Sequence, residues 1–191
     1  SLIGRNHPVG IVLAAILFLR GLPALGAPGG VPLDPVPTLV VFTPTSVEVD
    51  PWDGSLWIAD QYASRVAHMS SEGAPIAVFP TSRYGGGKPA GVTFEGSAAT
   101  HLYVSDPGLH RLVRIDRGGN FAGALSTDPF GITQPADLAW DEETSALWVA
   151  DPLARQVSRL RPRDSDADGL PDTADLLASF STIPLGSDNP M

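Results

Sequence analysis

Cysteine is absent from all 191 residues, which removes disulfides, thiolate metal sites and cysteine nucleophiles together. Basic residues are scarce: 12 Lys and Arg stand against 21 Asp and Glu, a formal charge of −9. So acidic a chain is not built to grip a polyanion, and nucleic acid is not expected as a partner. Long apolar runs are missing too. Residues 9–19 give eleven apolar positions before Arg20 interrupts them, whereas a spanning helix needs about 20.

That short run has a different use. Arg5 and His7 supply a weakly basic start, the apolar stretch follows, and Ala24-Leu25-Gly26-Ala27 offers small residues for cleavage after Gly26 or Ala27. Residues 1–27 are therefore expected to be an export signal, giving a secreted protein, extracellular or periplasmic, with no membrane span after cleavage. Residues 28–37 hold four prolines and read as an extended linker. The remainder is apolar enough to fold, at 43% apolar and 17% charged for the whole chain. Its 20 glycines and 19 prolines suit many short strands joined by turns.

One phrase recurs three times: Leu56-Trp57-Ile58-Ala59-Asp60, Leu102-Tyr103-Val104-Ser105-Asp106 and Leu147-Trp148-Val149-Ala150-Asp151. Prolines 44, 89, 135 and 190 mark a period of 45, 46 and then 55 residues. After each of the first three comes an alternating strand, with Val47/Val49, Val92/Phe94 and Leu138/Trp140 on one face. The recurrent phrase is the second strand. A third begins at Arg65, Arg111 and Gln156, and a fourth at Ile76, Phe121 and Leu176. Both faces of the second strand are largely apolar, as a sheet sandwiched between two others requires. Four antiparallel strands in about 45 residues is the size of a β-propeller blade. The expected fold is all-β: blades at 44–88, 89–134 and 135–189, with 38–43 as the outer strand of a closing blade. A closed ring takes about four to eight blades, so the ring is expected to be incomplete and the chain an N-terminal fragment.

The repeat resembles the NHL-type blade and its relatives, the lactonase-like six-bladed propellers. The match lies in Pro-x-x-hydrophobic-x-hydrophobic, in Leu-Trp/Tyr-Val/Ile-Ala-Asp, and in a basic residue five positions later (Arg65 and Arg111, with Gln156 departing). It covers residues 38–191. Lactonase-like enzymes carry a metal-binding glutamate in an early Glu-Gly-Pro phrase. Here Ser46-Val47-Glu48 stands instead, so the resemblance implies architecture rather than that activity.

The third repeat is the longer one, and its excess lies between the third and fourth strands. Carboxylates at Asp164, Asp166, Asp168, Asp172 and Asp175 occupy positions 1, 3, 5, 9 and 12 of a loop with Gly169 at position 6. That is the spacing of an EF-hand calcium loop. Ca²⁺ takes six to eight oxygen ligands at about 2.3–2.6 Å, and alternate residues converge only when the backbone turns sharply at a glycine. Asp164, Asp166 and Asp168 are expected to bind through side chains and Leu170 through its carbonyl. Asp172 would bind directly or through water, and Asp175 would close the shell. The alternative is an acidic turn whose side chains cap local N–H groups. The wording also resembles thrombospondin type 3 repeats and dockerins.

Other residues suggest little chemistry. Asp60, Asp106 and Asp151 recur in every repeat and are expected to cap the turns that follow them. His68, His101 and His110 occupy different blade positions and lack metal-ligand spacing. Gly85-Gly86-Gly87-Lys88 lacks the full phosphate-loop arrangement and reads as an inter-blade loop. Two functions follow. One is a non-catalytic scaffold binding a protein or glycan, with calcium stiffening one blade. The other is a lactonase-like hydrolase or lyase whose channel site draws on further blades; non-repeated acidic, Asn or His residues facing the channel would favour it.

Overall fold

Each repeat folds into one sheet. The computed structural model describes residues 41 and 43–182. The signal expected over 1–27, the linker over 28–37 and most of the outer strand expected over 38–43 lie outside them.

Strands β1 (Pro44–Val49), β2 (Leu56–Asp60), β3 (Arg65–Met69) and β4 (Pro75–Pro80) pair in chain order. The second sheet is β5 (Val92–Phe94), β6 (His101–Asp106), β7 (Arg111–Asp116) and β8 (Phe121–Ser126). The third is β9 (Leu138–Asp141), β10 (Ala146–Asp151), β11 (Gln156–Arg163) and β12 (Thr173–Ser181). Every pairing is antiparallel. Register shifts recur between third and fourth strands, at His68/Met69, Val113/Ile115 and Arg159/Leu160. An extra residue there bends the outer strand and raises the twist of each sheet.

The two-sided burial read from the recurrent phrase is realised in the middle sheet. Leu102, Tyr103, Val104 and Ser105 are all buried. Leu102 and Val104 join a core with Trp57, Phe79 and Val66 of the first sheet. Tyr103 turns the other way, into a core with Leu138, Leu147 and Leu160 of the third. Trp57 of β2 and Tyr103 of β6 thus both point toward the following blade. Fully burying a side chain of this kind contributes about 1.5–3 kcal/mol. The free faces of the outer sheets stay open: Val47, Val49 and Ile76 on one side and Phe180 on the other are more than half exposed.

The turn before each third strand places a non-glycine residue in the left-handed region: Ser64 (φ 50°), His110 (φ 46°) and Arg155 (φ 53°). All three hold the connector that leaves their own blade, the Ser64, His110 and Arg155 carbonyls accepting from Thr81, Thr127 and Thr182 N–H. Among the described residues no helix is long and apolar enough to cross a membrane.

Candidate functional site

The aspartate loop is the tip of the hairpin between β11 and β12. These strands run to eight and nine residues, longer than their counterparts, and pair out to Pro162↔Ala174 and Arg163↔Thr173. At the tip, Asp164, Asp166 and Asp168 each bring a carboxylate oxygen within 4.8 Å of the others, and all three are exposed. The backbone sets them. Gly169 takes φ 88°, the sharp turn the spacing requires. Asp168 N–H donates to Asp164 Oδ1 at 3.2 Å, Gly169 N–H to Asp164 Oδ2 at 2.7 Å, and Leu170 N–H to Asp168 Oδ1 at 2.8 Å. The Asp166 carboxyl is raised above the usual carboxylate range. The Asp168 N–H holds it down, but the Asp168 charge, with Asp164 and Asp172, outweighs that bond.

Asp172 and Asp175 lie outside that cluster. Asp172 accepts from Ser165 N–H at 2.9 Å and Ser165 Oγ at 2.5 Å, bonds that hold its carboxyl below the usual range. Asp175 lies in β12 opposite Arg161, and its carboxylate accepts from Arg163 Nε at 2.5 Å. Leu170 is half-buried and its N–H is committed to Asp168. Three hard oxygen donors in reach of one point suit Ca²⁺ as part of its shell of six to eight. The hairpin is also seated on its neighbour. A Cβ at Gly123 of β8 would lie 2.7 Å from the Pro171 carbonyl oxygen, so only glycine, at φ 124°, lets the hairpin pack there.

The repeated aspartates do more than cap turns. All three are buried and bind the connector that enters their own blade. Asp60 accepts from Thr43 N–H at 3.1 Å and Arg65 Nε at 3.0 Å. Asp106 accepts from Gly87 N–H at 2.9 Å. Asp151 accepts from Thr133 and Gln134 N–H at 2.7 and 3.0 Å, and caps its own turn through Ala154 N–H at 2.8 Å. The residue opening the third strand completes the latch. Arg111 donates to Tyr84 and Gly85 carbonyls at 3.1 and 2.8 Å, and Gln156 reproduces this with a bond to Gly131 carbonyl at 3.3 Å. Gly85 and Gly131 are equivalent left-handed ends of short 3₁₀ turns. The second latch is the loosest: Asp106 Oδ1, Arg111 Nε and Tyr84 OH are buried beside one another without a hydrogen-bond partner.

Sequence reasoning passed over the innermost strands. β1, β5 and β9 adjoin one another, and Ser46 Oγ donates to Asp137 Oδ1 at 3.0 Å while accepting from Val92 N–H at 3.3 Å. Glu48 is raised above the usual range, by burial first; bonds from Phe94 and Thr93 oppose that, and the Asp137 charge adds to it. Glu48 and Asp137 are not repeated: Thr93 and Ala139 stand where Glu48 does, and Ser46 and Gly91 where Asp137 does. Departure from the repeat was the available signal. His68, which lacks metal-ligand spacing in the sequence, shares a buried 2.7 Å hydrogen bond with Ser55 Oγ and stacks on Trp57 at 4.3 Å.

No family model and no curated protein matches the chain. Solved structures do. Virginiamycin B lyase from Staphylococcus aureus superposes at TM-score 0.52 and 16% identity, over 74% of this chain and 42% of that one. The β-propeller domain of Myceliophteria thermophila Cps50 (Swd1) gives 0.53 and 18%, over 71% and 44%. A chain of the nidogen/laminin complex gives 0.55 and 17%, over 71% and 48%. This chain spans under half the length of each. At such identity the likeness is one of fold: the three sheets are blades of a β-propeller, and among the described residues they do not close a ring.

Proposed function

We propose that this is a secreted, non-catalytic propeller scaffold of NHL-like type that binds a protein partner, with one Ca²⁺ held by the loop at 164–175. The observation that carries the metal part is the convergence of Asp164, Asp166 and Asp168 oxygens within 4.8 Å. Those three carboxylates are the primary ligands. Leu170 carbonyl, Asp172 and Asp175 are the further donors by spacing; recruiting Asp172 and Asp175 exchanges their bonds to Ser165 and Arg163 for the cation. The ion relieves the repulsion that raises Asp166, and it stiffens a hairpin that rests on the second blade through Pro171 and Gly123. The role is structural.

Among similar folds, one solved structure is a lyase and another is a complex of nidogen with laminin. A second reading, a propeller enzyme, has one observation in its favour, the non-repeated Glu48 and Asp137 on the innermost strands. Thermal unfolding in Ca²⁺ against EGTA tests the calcium reading. Saturation at 100 times the dissociation constant adds about 2.7 kcal/mol to stability, so the melting temperature rises with Ca²⁺. Superposable melts in the two buffers would rule the site out.

A further inference from the structure

The ends of the three innermost strands meet around an open cleft of about 340 Å³, lined by Glu48, Val49, Phe94, Ser97, Trp140 and Glu142 among others. It lies at the lower end of the size range of ligand pockets, about 300–1,000 Å³. Its charge is uneven. Three other acidic residues at these strand ends are neutralised: Asp50 by Arg117, Glu95 by Arg114 at 2.6 Å, and Asp141 by Arg159 at 3.5 Å. Among the described residues no Lys, Arg or His pairs with Glu48 or Glu142. The two carboxylates that line the cleft are the two left without a cation.

Both are held in place. Ser97 Oγ donates to Glu142 Oε1 at 3.0 Å and Trp140 Nε1 to Glu142 Oε2 at 3.2 Å. The Trp140 ring lies parallel to Tyr103 with centroids 6.2 Å apart, which fixes the plane it offers the cleft. Gly96, at φ 64°, keeps this pair uncovered, since a Cβ there would sit 3.5 Å from Glu142 Oε2 and 3.7 Å from Trp140 Nε1. Glu48, which lines the same cleft, is partly desolvated.

We propose that this cleft receives an arginine or lysine side chain of a partner polypeptide, its cation lying against Trp140 and between the carboxylates of Glu48 and Glu142. Glu48, unpaired and partly withdrawn from water, favours a cation, the exposed and equally unpaired Glu142 adds a second negative charge, and an aromatic face beside them strengthens the preference. A sugar would use the aromatic face but leave both charges unneutralised. The assignment rests on the scaffold reading only in supposing a protein partner; the calcium loop plays no part in it.

Amide NMR of the full chain, titrated with the tripeptide Gly-Arg-Gly, tests it. The expected result is a saturable shift of Gly96, Ser97 and the Trp140 indole N–H. The uncharged tripeptide with citrulline in place of arginine should leave them unmoved. In Glu48→Gln/Glu142→Gln the dissociation constant should rise at least tenfold, with the unaltered spectrum elsewhere reporting that the variant is folded. If the double substitution perturbs folding, Glu142→Gln alone, at an exposed position, replaces it, and the dissociation constant should again rise. Equal shifts with citrulline, or none with arginine, overturn the assignment. Shifts of the same resonances by a neutral chito-oligosaccharide alone also overturn it, while leaving the chain a binding scaffold.

Discussion

Asp151 is 1% exposed and accepts bonds from Thr133, Gln134 and Ala154. Burial pushes its carboxyl up, but the N–H groups around it outweigh burial and hold its pKa below the usual value. A carboxylate lowered in the folded state adds stability that is present above its unfolded pKa, about 3.9. That stability is lost as pH falls through the lower, folded value. Asp151→Ala should therefore cost about 2–3 kcal/mol at pH 7 by leaving buried N–H groups unpaired. The cost should shrink as pH drops below about 4, the unfolded carboxylate range. Urea unfolding between neutral and acid pH reads both; a constant loss within the surface-substitution range of about 0.5 kcal/mol would contradict the latch. The recurrence of these aspartates was legible, and so was their structural character. Their main partner was not. Asp60, Asp106 and Asp151 bond to N–H groups 17, 19, 18 and 17 residues away, at Thr43, Gly87, Thr133 and Gln134. A linear reading weighs only the adjacent turn.

At the scale of elements, the strands were legible because each repeat punctuates itself with proline, glycine and an alternating or doubly apolar run. The aspartate loop was legible in part. A spacing template treats positions 1 to 12 as one loop, whereas β12 begins at Thr173 and takes Asp175 into its ladder opposite Arg161. A spacing template does not show that pairing, nor the bond from Arg163 that a bound ion would have to exchange. The hairpin's seat on β8 was invisible in sequence, because it depends on what Gly123 lacks. Gly123→Ala should cost about 1–3 kcal/mol through the clash with Pro171 and the strained φ. Hydrogen exchange should speed up in residues 163–173 while the pairing of β6 with β7 keeps its protection. Unchanged exchange in the hairpin would show that Pro171 does not bear on Gly123.

At the scale of the molecule, blades are joined by buried polar bonds as well as by their two cores. Asp50, in the turn after β1, is buried and receives Arg117 from the turn after β7. Trp57 Nε1 donates to the same carboxylate at 3.1 Å. The Arg117 guanidinium lies 4.0 Å from the Trp52 ring centroid, and Trp52 Nε1 donates across the junction to Ala98 carbonyl at 3.0 Å. Arg117→Met should leave the Asp50 charge without its cation and cost about 3 kcal/mol. Adding Asp50→Asn should recover part of the loss, as a double-mutant cycle in denaturant would measure; simple additivity would mean the pair is not coupled. This joint was not legible, since 67 residues separate its partners. The non-repeated Glu48 and Asp137 did leave a signal, as departures from an otherwise regular repeat, which the reading of the repeats passed over. The central claim is that a chain built of monotonous blades carries its metal chemistry where the third blade departs from the pattern. Calorimetric titration of the full chain with Ca²⁺ tests it most directly. The account predicts heat that fits one site and disappears in Asp166→Ala. No heat from the unaltered chain, or the same isotherm from Asp166→Ala, would contradict it.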